Sequence, residues 1–168
     1  LAPVLRRLLA ALVVRRGATA SNDMLIDAMW PDGPPGDDGL RSLRTAVSRL
    51  RPIVGADAVV TAAPGYRLVL DVSEVDAWAF EEAVSGAPPR NPSDELAVLD
   101  DALAVWEGAA FEEFAHEPWA QGEAVRLEEL RAATLERRLD LLLASGRTAD
   151  AVADAAQLVL DQSLVYRL

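Results

Sequence analysis

Apolar positions recur along the chain at helical spacing in most places and in one place form two short runs about a turn. Leu5, Leu8, Leu9 and Leu12 fall on one side of residues 1–16, so the chain opens with an amphipathic helix that Gly17 ends. Ser21 is placed to cap a second helix with the stripe Leu25, Ala28 and Met29, closed by Trp30. Residues 31–36, rich in proline and glycine, then break the chain. Leu40, Leu43, Val47, Leu50 and Val54 recur at i, i+3, i+7, i+10 and i+14, the mark of a third helix. Pro52 predicts that this helix kinks or ends near Arg51. Two short apolar runs follow, 59–61 and 66–70, with the turn dipeptide Pro64-Gly65 between them, and they read as a β-hairpin.

Beyond a short acidic joint at 71–75 the pattern is helical throughout. Asp76 is placed to cap a helix bearing Trp78, Phe80 and Val84, and residues 86–92 form a loop. Ser93 is expected to cap the next helix, with Asp94 and Glu95 in its first turn, where the helix dipole favours them. Its stripe is Leu96, Leu99, Leu103 and Trp106, and Gly108 ends it. From about residue 119 to 145, Leu127, Leu130, Thr134 and Leu141 line one face while Leu135, Leu139, Leu142 and Leu143 line another. A helix apolar on two faces packs between two neighbours, as in stacked helix pairs. Gly146 turns the chain into a partner helix carrying Ala151, Val152, Ala155 and Val159. Gly146 followed by the small Ala151 resembles a tetratricopeptide hairpin, from which Leu158 and Ser163 depart.

Polar residues make the third helix distinctive. Arg41, Arg44, Thr45, Ser48 and Arg49 fall opposite its apolar stripe. On most surface helices such a face is only solvated. Here no acid interrupts the four arginines between Arg41 and Arg51, although acids outnumber bases in the whole chain. The hairpin adds Thr61, Tyr66 and Arg67. Arginines reach phosphates or guanine edges and hydroxyls reach either, so a helix of this kind suits a DNA major groove. Arg51 lies nearer the stripe and is expected to pack or pair within its own domain.

The formal net charge of −11 argues at first against a nucleic-acid binder. Its distribution changes that reading. Residues 1–76 carry 9 arginines and 9 acids, while residues 77–168 carry 7 and 18. The excess acid belongs to the second half, which is therefore expected to bind protein and not phosphate. With 51% hydrophobic residues the chain can bury a real core. It contains no cysteine, which excludes a disulfide framework and thiolate metal sites and fits a reducing cytoplasm. No run of about 18 apolar residues occurs, so no membrane span is expected. Every base is arginine, a bias to which we attach no functional weight.

Enzymatic motifs are missing from the sequence: there is no P-loop, no Gly-x-Gly-x-x-Gly and no Gly-x-Ser-x-Gly. His116 stands three residues after Glu113, a spacing that ligates metals in carboxylate-bridged bundles, but such a site needs a second copy. Neither a catalytic residue, a metal site nor a cofactor is expected.

The runs LLAALVVRRGATASNDMLIDAMWPDGPP, LRSLRTAVSRLR and TAAPGYRLVL resemble the OmpR-type winged helix of the Streptomyces antibiotic regulatory protein family. VDAWAFEEAV and residues 99–147 resemble the bacterial transcriptional activator domain that follows it in that family. The resemblance covers nearly the whole chain in the right order and is most specific at 25–30, 48–51, 65–68, 102–108 and 126–131. It implies a mainly α protein: a winged helix-turn-helix domain over 1–75, then an all-α, tetratricopeptide-like domain over 76–168. OmpR-type domains carry strands before their first helix that are absent here, and the activator domain would continue through more helix pairs, so the sequence reads as trimmed at both ends. The implied function is a sequence-specific activator of transcription, working in the cytoplasm on double-stranded promoter DNA with RNA polymerase as partner. The implied operator is a set of short direct repeats bound by more than one protomer. A protein-interaction module that keeps the scaffold without specific DNA binding is the competing reading, favoured by the acidity and by Pro52.

Overall fold

The computed structural model describes residues 1–165, with side chains through Ala156. It is mainly helical with one small sheet. Residues cluster into two compact units, Leu1–Val75 with Ala110–Ala124, and Asp76–Ala109 with the residues from Val125 onward.

The first unit opens with α1 (Pro3–Val14), which Pro3 starts and which buries Leu8, Ala11 and Leu12. Strand β1 (Ala20–Ser21) leads directly into α2 (Asn22–Met29), whose Met24 N–H donates to the Ser21 hydroxyl at 3.2 Å. Leu25, Ala28 and Met29 are buried, as their spacing requires. Asp38 caps α3 (Gly39–Val54) by accepting from the Arg41 N–H at 2.9 Å. The helix runs through Pro52 instead of ending before it. In the last turn the missing N–H frees one carbonyl only, and the Gly55 N–H still reaches Arg51 O at 2.9 Å. Leu43, Ala46, Val47 and Leu50 are buried, whereas Leu40 at the helix start is exposed.

Strands β2 (Val59–Ala62) and β3 (Gly65–Leu68) form the expected hairpin, and β1 adds to its other edge in the antiparallel order β1-β3-β2. Two residues were too short a run to announce β1 in the sequence. Its presence explains Gly65: a Cβ there would lie 2.0 Å from Ala20 O and 2.9 Å from Asn22 N. Only hydrogen at that position lets the strand and the start of α2 approach.

Segment 110–124 was expected inside the all-helical second domain, yet it packs in the first unit. Arg6 pairs with Glu113 at 2.7 Å, Arg7 with Glu117 at 2.5 Å and Arg16 with Glu123 at 3.1 Å. The Arg7 guanidinium also donates to Ala28 O at 2.6 Å and lies 5.7 Å over the Phe114 ring. The partners of the three ion pairs stand more than a hundred residues apart, so no local pattern could show them.

Between the units in sequence, the acidic joint forms a single 3₁₀ turn, Val72–Glu74. Asp71 accepts from the Ser73 N–H and hydroxyl at 3.0 and 2.6 Å, and the Glu74 carboxylate accepts from the Asp71 N–H at 2.8 Å. The Ser73 hydroxyl, then its N–H, hold the Asp71 carboxyl below the ordinary aspartate range.

The second unit contains α4 (Asp76–Ser85), α5 (Pro92–Leu103), α6 (Pro118–Ala144) from Val125 onward, and α7 (Thr148–Val165). Asn91, not Ser93, caps α5: its side chain accepts from the Ser93 N–H at 3.0 Å, and Pro92 takes the first helical position, where its fixed φ costs nothing. This helix ends at Leu103, so Trp106 lies beyond it and meets Phe80 edge-on, with ring centroids 5.1 Å apart. The Arg131 guanidinium stands 4.7 Å over the Trp106 ring. Leu96, Leu99, Leu141, Leu142 and Ala151 form the core, with Val84 and Leu139 against it. Leu143 and Val152, expected on apolar faces, are 52% and 69% exposed. Leu158, Val159 and Ser163 lie outside the described side chains. Within the core edge Glu95 is buried and receives two bonds from Arg137, at 2.8 and 3.1 Å. That paired carboxylate raises the Arg137 pKa above its ordinary value.

Candidate nucleic-acid interface

Helix α3 separates its residues by burial along the lines of its sequence. At about 100° per residue the buried Leu43, Ala46, Val47 and Leu50 occupy one arc. Arg41, Arg44, Thr45, Ser48 and Arg49, all exposed, spread over an arc of roughly 140° centred opposite. Among the described residues, the guanidinium groups of Arg41, Arg44 and Arg49 have no hydrogen-bond or ion-pair partner, and neither has that of Arg67 on β3. Apart from Arg15, the other arginines of the unit are tied down: Arg6, Arg7 and Arg16 to glutamates, and Arg51 to the hairpin. Thr45, which is exposed, donates its hydroxyl to Arg41 O at 2.9 Å, so towards any further partner its oxygen can only accept.

Arg51 acts as a strut between helix and hairpin. Its Nε donates to Val59 O at 3.0 Å and its Nη2 to Thr61 Oγ1 at 3.3 Å. The arginine therefore holds the hairpin by hydrogen bonds within the unit, not by an ion pair. Thr61 is exposed, but its hydroxyl already receives Arg51.

Tyr66 does not join this surface. The register pairs Val59 with Leu68, Val60 with Arg67 and Thr61 with Tyr66. Strand residues alternate faces, so Tyr66 shares the inward side with Val59 and Leu68, while Arg67 points the other way. Tyr66 is 8% exposed and Arg67 is exposed. Adjacent residues of one strand could not both face a common ligand, a constraint that the alternation in the sequence already carried. His116 is exposed, and Glu113, three residues before it, is held by Arg6.

The bacterial transcriptional activator domain matches residues 75–165. Over 99% of its length the chain is 34% identical to the regulatory protein AfsR of Streptomyces griseus, of which it covers 17%. It is 30% identical to the transcriptional regulator RedD of Streptomyces coelicolor, over 96% of this chain and 49% of that protein. Among solved structures, Mycobacterium tuberculosis EmbR in complex with a low-affinity phosphopeptide matches with a TM-score of 0.81 and 25% identity, over 96% of this chain and 45% of that one. The chain thus spans about half or less of the length of these relatives. It belongs to the bacterial transcriptional activator domain family, within the Streptomyces antibiotic regulatory protein group of transcriptional regulators. Both of these relatives are named as regulatory proteins.

Proposed function

We infer that the chain is the DNA-binding and activating part of a sequence-specific transcriptional activator. In this reading α1, α2, α3 and the three-stranded sheet make a winged helix-turn-helix, with α3 as the recognition helix and the β2–β3 hairpin as the wing. The observation that carries it is the set of arginines at positions 41, 44, 49 and 67, exposed and without a partner among the described residues, in a unit whose other arginines are nearly all engaged. Leaving cations unpaired in a chain with such an excess of acids suits a polyanionic partner. Arg41, Arg44 and Arg49 would reach bases and phosphates of the major groove, helped by Thr45 and Ser48, and Arg67 a phosphate beside the adjoining minor groove. Thr61 would hold the wing through Arg51, and Tyr66 would support it from within.

The second unit, with the α6–α7 hairpin that resembles a tetratricopeptide pair, would present a protein-binding surface to RNA polymerase or to a second protomer on direct repeats in promoter DNA. Its acidity suits a protein partner and repels phosphate. The site of action would be the cytoplasm; among the described residues no helix is long and apolar enough to cross a membrane. The acid excess over 77–168 also favours a second reading, an interaction module without specific DNA binding. Selection of duplexes from a random library, followed by mobility shifts at two salt concentrations, separates the two. Enrichment of a defined sequence supports the activator; recovery of no sequence leaves the interaction module.

A further inference from the structure

The outer face of α3 ends on a residue that has no hydrogen-bonding group to offer. Pro52 is exposed and lies four residues after Ser48 and three after Arg49, which makes it the neighbour of both on the outer arc. It does not serve the core, and it does not stop the helix, which continues through Ile53 and Val54. Ile53 beside it is 57% exposed, so the last turn presents an apolar end to an otherwise polar face. The pyrrolidine ring can neither donate nor accept a hydrogen bond and cannot neutralise a phosphate. On the major-groove edge of the base pairs, the apolar group is the C5-methyl of thymine.

We propose that Pro52 determines specificity by packing its ring on a thymine methyl at the end of the recognition helix. The proposal rests on reading α3 as a groove-inserted helix. The test uses the duplex that the full chain selects from a random library, with each thymine replaced singly by deoxyuridine, which lacks only the methyl. One replacement should weaken binding about fourfold, the ratio that corresponds to burying one methyl-sized group. Pro52→Ser should lose that discrimination without any loss of thermal stability, since the ring is exposed and serine restores the N–H that proline lacks. Arg44→Ala, measured on the same duplex, reports on the underlying reading. If no replacement matters to the parent while Arg44→Ala still weakens binding, the methyl contact is refuted and the recognition helix stands. If Pro52→Ser keeps the parent's discrimination, another residue reads the methyl and the proposal is wrong. If Arg44→Ala binds as the parent does, the recognition helix fails and the proposal fails with it.

Discussion

Arg44 and Arg49 are the side chains on which the proposed DNA reading most directly depends. Both are exposed, without a partner among the described residues and opposite the buried stripe of α3, so their removal leaves the fold intact. Arg44→Ala or Arg49→Ala should weaken specific binding by about 1–3 kcal/mol if the lost contact is to a base. Arg67→Ala should weaken all sequences alike and lower the salt slope by roughly one unit, as the loss of a phosphate contact does. Binding isotherms at several salt concentrations, with thermal melts beside them and Arg90→Ala as a control in the acidic half, check both expectations. Equal affinity for the parent and both α3 variants would leave the interaction module ahead. Gly65 is a different kind of position, since what matters is the space it leaves empty. A Cβ 2.0 Å from Ala20 O cannot be accommodated by a side-chain shift, because the obstacle is backbone. Gly65→Ala should cost at least about 2 kcal/mol in denaturant unfolding, and a smaller loss would mean that β1 is not held against β3.

At the scale of elements, the hairpin is fixed to α3 from one side by Arg51 and to α2 from the other by β1. The arginine face of α3 and the hairpin are therefore tied to each other within the unit, as the proposed contact with a groove and its flanking phosphate would require. The joint after β3 is ordered by polar groups and not by burial. Because the Asp71 carboxyl is depressed by its bonds from Ser73, its stabilising effect is fully present above the ordinary aspartate pKa. That effect is lost as pH falls through the lowered value. In an NMR titration Ser73→Ala should move the Asp71 pKa upward toward the ordinary range. An unchanged pKa would show that the turn does not persist in solution.

Over the whole molecule, sequence order and structural unit do not coincide. The matched family domain begins at residue 75, yet residues 110–124 pack with the first unit through three ion pairs and the Arg7–Phe114 contact. Helix α6 itself begins in one unit and ends in the other. Residues 1–75 expressed alone should consequently unfold at lower denaturant than the same unit in the full chain, with Arg7→Ala in the full chain moving part of the way. Identical midpoints would mean that segment 110–124 adds nothing to the unit. The same partition redistributes the acids. Glu113, Glu117 and Glu123 neutralise arginines of the first unit and so leave the outer arc of α3 as its principal basic surface without partners among the described residues.

Local physics alone determined a good part of this. The spacing of Leu25, Ala28 and Met29, and of Leu43, Val47 and Leu50, set which faces are buried, because one turn of helix brings i, i+3 and i+4 together whatever lies elsewhere. The same periodicity exposed Arg44, Ser48 and Arg49, and Pro64-Gly65 marked the hairpin. Tertiary structure decided the rest. Tyr66 went inward because the register with Thr61 and Ala20 fixed which side of β3 meets the core. Pro52 stayed in the helix because only one hydrogen bond was at stake near its end. Strand β1 exists because β3 offers it an edge, and segment 110–124 joined α1 because charges far apart in sequence met in space. A chain records its short-range geometry residue by residue, whereas such long-range pairings depend on the whole fold having formed.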